Sequence, residues 1–216
     1  MTGKKAGSGK PGNRSRVQLE VLVEEPSAHC LLNKALGGWI GADHVQVGIR
    51  KFRGKPDLLD RLPVLMAGYA RQRREGKDVR VVVLVDKDED DCRKLKTEMD
   101  AIARRAGMVP DGVSRCVVNR IAVRELENWY FGDWEAVCAA FPKVRSKVPA
   151  PYSSTPDATA KKTSEVFERV LRQNGIRNSS KPDWAERMAP KMVPSRNRSV
   201  SFRVFIEGVR RLVEQS

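Results

Sequence analysis

Two groups of carboxylates in this chain have the types and spacing to do chemistry. Glu24 and Glu25 follow the apolar run VQLEVLV, and Asp86 and Asp88 open the acidic stretch DKDEDD directly after VRVVVLV. Carboxylates crowded together repel one another and raise each other's pKa unless a cation lies between them. Hard oxygen donors of this kind suit Mg²⁺, or Mn²⁺ in its stead, an ion that keeps several waters and bridges to substrate phosphates. Such a metal would stabilise phosphoryl charge and acidify an attacking water, while a carboxylate left uncoordinated could serve as general base. A third segment, RELENWYFGD, offers Glu125 or Glu127 as a further acidic ligand, and Glu127 joins Glu24, Asp86 and Asp88 in the candidate catalytic set. The competing assignment pairs Glu125 or Glu127 with Arg120 or Arg124, while Trp129, Tyr130, Phe131 and Trp134 build core. Whether Glu24 or Glu25 faces the metal stays open. Asp90 and Asp91 are read as charges on the first turn of the following helix.

The elements that must position these groups alternate. Val17–Val23 starts with alternation and becomes a solid apolar run, as a strand entering a covered sheet does. A helix over 28–36 follows, with Ser27 as cap and Gly37-Gly38 as its stop. A second strand over 45–49 leads into the basic loop KFRGK and a helical stripe from Leu58 to Tyr69, in which Pro63 is an irregularity. Strand three, over 79–85, is almost wholly apolar, the mark of a central strand buried on both faces. A helix from Cys92 closed by Gly107 and a fourth strand over 116–123 complete the run. The pattern predicts an α/β fold, a mostly parallel Rossmann-like sheet with helices on both faces, whose ligands bind beyond the carboxyl ends of the strands. Residues 17–140 form this core, 1–16 a disordered basic arm, and 141–216 a basic helical extension packed on the core. Helices are expected near 157–173, 183–191 and 202–213, the last capped by Ser199 or Ser201.

These residues carry a family resemblance. VEEPS after the first strand and LVDKD after the third resemble the Toprim signature, in which one Glu and a D-x-D pair hold Mg²⁺ in topoisomerases, primases and the overcoming-lysogenization-defect nucleases. Glu24 matches the family Glu and Asp86 and Asp88 the D-x-D, although Glu25 stands where a Gly is usual. LEVLVEEPSA, VVVLVDKDEDDC, AVRELENWYFGDWEAV, PDATAKKTSEVFERVL and SVSFRVFIEGVRRL together are similar to the bacterial domain of unknown function 4276, a Toprim-like group. The resemblance implies a nuclease, or a nuclease-like effector of phage defence encoded beside an ATPase partner. An inactive or regulatory binding subunit is the alternative.

Charge points to a polyanionic partner. The net +14 is not evenly spread: residues 17–140 balance 20 basic against 20 acidic, residues 1–16 hold 5 basic and no acidic, and residues 141–216 hold 16 basic against 7 acidic. Phosphate neutralisation by Lys and Arg supplies most non-specific nucleic-acid affinity. Lys161, Lys162, Lys181, Arg196 and Arg198 are the expected contacts to nucleic acid. Arg196 and Arg198 rank first because they precede the last helix, whose N-terminal amides form a natural anion site. Cys30, Cys92, Cys116 and Cys138 stand far apart with no CxxC pair or histidine cluster, which gives no zinc signature and reads as reduced thiols. A Walker G-x-x-x-x-G-K-[ST] loop before a helix is absent, so P-loop ATP hydrolysis is not expected. No apolar run approaches the ~20 residues needed to cross a bilayer, and the Lys- and Gly-rich start lacks a secretory apolar segment. The expectation is a cytoplasmic protein without a membrane partner, with self-association left open.

Overall fold

The apolar runs become four strands, β1 (Val17–Val23), β2 (Val45–Lys51), β3 (Val79–Asp86) and β4 (Val117–Ala122). They pair in parallel in the order β2-β1-β3-β4. The structure is a computed structural model that describes residues 16–87, 90–122, 125–144, 147–158 and 162–214. Helices α1 (Pro26–Ile40), α2 (Lys55–Arg74) and α3 (Cys92–Arg105) connect the strands, and α4 (Asn128–Gly132), α5 (Trp134–Ala140), α6 (Thr163–Gln173), α7 (Lys181–Met188) and α8 (Val200–Glu214) follow. The chain is thus an α/β protein with an all-parallel sheet, consistent with a Rossmann-like fold. Asp88 and Lys161 lie outside the described residues, as does nearly all of the expected basic arm.

Strand periodicity divides the core into two layers, because successive side chains of a strand point to opposite faces. Val79, Val81, Val83 and Val85 join Leu58, Leu62 and Met66 of α2 and Leu95, Met99 and Ile102 of α3. Val82 and Leu84, with Leu19, Val21 and Val23 of β1, join the opposite cluster, which holds Leu32 and Leu36 of α1, Phe167 of α6, Trp184 of α7 and Phe202 and Phe205 of α8. A strand covered on both faces is apolar almost throughout, and β3 is buried from Val79 to Val85, its one charge there, Arg80, being paired with Asp78. Asp86 continues the phase of Val82 and Leu84, so its side chain leaves the sheet toward the α1 and α7 layer.

Several boundaries differ from the sequence reading. Helix α1 runs through Gly37 and Gly38 and stops at Gly41, whose φ of 62° is the left-handed conformation a helix end favours. The glycines weaken that turn, but Leu36, Trp39 and Ile40 are buried on either side of them and hold it helical. Ser27 lies inside the helix rather than capping it, and no side-chain bond caps Glu25. Helix α2 passes through Pro63 for the same reason: Leu58, Leu62, Met66 and Tyr69 form one buried stripe. Helix α6 begins at Thr163 rather than near 157, since Asp157 is committed elsewhere. Helix α7 begins at Lys181, ahead of the expected 183, because Ser180 and Asp183 form a reciprocal capping box. Asp91 caps α3, accepting from the amides of Arg93 and Lys94, as read from the sequence.

Candidate functional site

In the strand order β2-β1-β3-β4 the chain reverses direction of winding between β1 and β3, the crevice where open α/β sheets bind ligands. Glu24 and Asp86 stand at that point, at the carboxyl ends of β1 and β3. The Glu24 carboxylate accepts a hydrogen bond from the Asp86 amide, which ties the two strand ends together. Glu24 is buried with 8% of its surface exposed. Adjacent Glu25 has other partners in the same cluster: its Oε1 accepts the Ser27 hydroxyl at 2.5 Å, and its Oε2 lies 3.7 Å from Lys181 Nζ.

The turn between β4 and α4 brings two more carboxylates to the same place. Glu125 Oε1 stands 3.4 Å and Glu127 Oε1 3.6 Å from Lys181 Nζ. The two differ in everything else. Glu125 accepts the Ser164 amide and hydroxyl, both at 2.8 Å, and so clamps the turn to the start of α6. Burial raises its pKa, but those bonds and the Lys181 charge carry it below the ordinary value. Glu127 is fully buried, and neither of its oxygens has a hydrogen-bond partner. Burial above all, with repulsion from Glu25 and Glu125, pushes its pKa up to about 7 against the pull of Lys181. Asp86 is raised well above its ordinary value by burial first and then by Glu25, Glu24 and Glu127. The buried Tyr130 hydroxyl also lacks a partner, and burial together with the Glu127 and Glu25 charges raises it further.

Lys181 is the counter-charge of this cluster. It occupies the first turn of α7, where the helix dipole disfavours a cation, and that cost is offset by the carboxylates around it. Burial pulls its pKa down, yet Glu127, Glu25, Glu125 and Asp86 together carry it above the ordinary lysine value. Its role as an internal ion-pair partner was missed from sequence, where it was assigned to nucleic acid. The signal was there, since a lysine behind the capping serine is out of place unless anions surround it.

A hard divalent cation suits the donors present. They are all oxygens, they repel one another, and Glu127 carries two buried oxygens with no hydrogen-bond donor. Among the described residues no three Asp, Glu, His or Cys side chains are gathered closely enough to hold a metal ion. Asp88 of the expected ligand set lies outside them.

The other expected contacts do not converge here. The Arg196 guanidinium is held by Asp133 at 2.7 Å and Glu135 at 3.0 Å. The Arg198 guanidinium bonds the Ser153 carbonyl, and Lys162 is exposed ahead of α6. The amides opening α8 are filled by Asp157, which accepts from Val200 and Ser201, while Ser199 accepts from Phe202. That helix start therefore holds an internal carboxylate instead of an open anion site. Trp129, Tyr130 and Phe131 are core, and Arg120 bonds the Val204 carbonyl and not a glutamate. All four cysteines are free thiols. No described helix is long and apolar enough to cross a membrane.

A family model described as Domain of unknown function (DUF4276) matches residues 23–210. No curated protein and no solved structure matches the chain.

Proposed function

The chain belongs to the DUF4276 family, and from that premise we propose that it is a Toprim-like, Mg²⁺-dependent nuclease hydrolysing phosphodiester bonds of DNA or RNA. The observation that carries the reading is the gathering of Glu25, Asp86, Glu125 and Glu127 around the Lys181 ammonium at the switch point of the sheet, with Glu24 bonded to the Asp86 amide beside them. Among the described residues, the four carboxylates around Lys181 outnumber that one cation, an anionic excess that a metal would neutralise. Glu24, Asp86 and Asp88 would hold the ion, which supplies Lewis-acid stabilisation of phosphoryl charge and a more acidic water. Glu24, bonded to the Asp86 amide, fixes the separation of the two strand ends. Glu127 is the proton acceptor for the attacking water, kept free for that role by the lack of any hydrogen-bond donor on its oxygens. Glu125 and Lys181 position it, the first through Ser164 and the second by charge. The resemblance to defence-associated Toprim proteins extends the proposal to a cytoplasmic anti-phage effector working with an ATPase.

One observation favours a second reading, a catalytically inactive subunit that binds nucleic acid or a partner: Lys181 already occupies the centre of the carboxylates as an internal cation. The two readings separate in one experiment. Wild type, Glu24→Gln and Asp86→Asn are incubated with single-stranded and duplex DNA and RNA, in Mg²⁺, in Mn²⁺ and in chelator. A nuclease loses cleavage by several orders of magnitude in both variants while binding is retained. Wild-type protein that never cleaves, alone or with any ATPase encoded beside it, and whose affinity ignores Mg²⁺, overturns the nuclease.

A further inference from the structure

The basic end of β2 and the turn after it are the feature the proposed chemistry leaves unused. They run from Arg50 and Lys51, the last residues of the strand, through Phe52 and Arg53 to Gly54. With Asp57, Arg61 and Leu65 these residues line an open cleft of about 460 Å³. The cleft stands beside the acidic site by virtue of backbone bonds. Lys51 pairs in register with Val23, the Phe52 amide bonds the Val23 carbonyl, and the Gly54 amide bonds the Glu24 carbonyl at 2.9 Å. Neighbouring strands are about 4.8 Å apart, so the cations begin one strand-width from Glu24.

Several buried or half-buried cations are already neutralised within the chain. Arg80 is tied to Asp78, Arg196 to Asp133, and Lys181 to three glutamates. In the cleft, Arg61 is neutralised by Asp57 at 2.6 Å. Arg50, Lys51 and Arg53 are exposed, and among the described residues none of their side chains comes within ion-pair distance of a carboxylate, although the Arg53 charge and amide both act on Asp57. The cleft thus gathers four cations, Arg50, Lys51, Arg53 and Arg61, against the single carboxylate of Asp57, and an excess of like charge in a cleft attracts a polyanion. Phe52 lines the same cleft and offers an aromatic surface of the kind on which bases stack.

We propose that this cleft binds the sugar-phosphate backbone of a single nucleic-acid strand, through Arg50, Lys51 and Arg53, and feeds it past β1 into the carboxylate site. The inference rests on the nuclease reading for its direction, but its test does not need cleavage. Full-length protein is titrated in chelator with labelled thymidine and uridine homopolymers, in both the wild-type and the Asp86→Asn background. Arg50→Glu/Arg53→Glu weakens binding at least tenfold, and Arg50→Gln/Arg53→Gln lowers the salt slope by about 1.4, at about 0.7 per lost single-strand contact. The charge-matched control Arg74→Glu/Arg105→Glu, at exposed ends of α2 and α3, changes affinity less than twofold. Unchanged affinity and slope in the cleft variants, an equal loss in the control, or equally tight binding of inorganic polyphosphate overturns the proposal. Cleavage by the cleft variants at wild-type KM removes the cleft and leaves the nuclease. Cleft-dependent binding without any cleavage in Mg²⁺ removes the nuclease and leaves the cleft.

Discussion

At the scale of single residues, the decisive pair is Glu127 and Lys181. A carboxyl whose pKa is raised in the folded chain holds its proton more tightly there than when unfolded. Its stabilising contribution is complete below the ordinary 4.5 and is lost as pH rises through about 7. Glu127→Gln keeps the volume and removes the charge. In chelator the variant should match wild type at the acid end of that window and exceed it at pH 8 by up to roughly 3 kcal/mol, at about 1.4 kcal/mol per pH unit. Lys181→Met should do the reverse, destabilising strongly at pH 8, where Glu127 is ionised, and less at pH 5, where Glu127 holds its proton. Urea denaturation of the three proteins at both pH values makes the comparison, and a stability difference independent of pH would mean that Glu127 is not the buried titrating group. The residues of this site were legible in the sequence as types and strand-end positions. Their division of labour was not, because RELEN is a turn: Glu125 and Glu127 both reach Lys181, and only the bond from Ser164, far along the chain, separates the clamp from the unpartnered carboxylate.

Among the elements, the strands were read from sequence nearly to the residue, since continuous Val and Leu runs have one use in a parallel sheet. Helix ends were read less well, where local signals and burial disagreed. Gly37-Gly38 is a local stop signal, but Trp39 and Ile40 are worth more buried than the glycines cost, so α1 continues to Gly41. Gly38 is exposed and open space surrounds the point where a Cβ would stand. Gly38→Ala should therefore stabilise the protein by roughly 0.5–1 kcal/mol through helix propensity alone. Gly132, at the end of α4, is the contrary case. A Cβ there would stand 2.1 Å from Asn197 Oδ1 and 2.8 Å from the Ser199 amide, and the Gly132 carbonyl accepts the Arg198 amide at 2.8 Å. Gly132→Ala should destabilise by several kcal/mol, because backbone must move to admit the methyl group. Thermal denaturation of the two variants reads both signs, and equal effects would deny that the α4–α8 junction is tightly closed.

Over the whole molecule, the later helices are as much a part of the candidate site as the sheet is. Phe167, Trp184, Phe202 and Phe205 belong to one continuous cluster with Leu19, Val21, Val82 and Leu84 of the central strands, and Trp129 meets the rings of Phe202 and Phe205 at 5.1 Å. Arg80 of β3 reaches the Leu212 carbonyl near the end of α8, and Asn128 is held by Thr163 and by the Pro156 carbonyl. Removing residues 141–216 would expose that apolar layer and also strip away Lys181 and Ser164, leaving Glu127 buried without its cation and Glu125 without its clamp. The 216-residue chain should therefore unfold in one transition, with circular dichroism and tryptophan fluorescence coincident. A chain of residues 17–140 should retain helical signal but lose near-ultraviolet dichroism, bind a hydrophobic dye, and melt without a cooperative transition. A cooperative, dye-excluding 17–140 chain would instead make α6–α8 an accessory layer, and the lysine at the centre of the carboxylates would then be dispensable for holding them together.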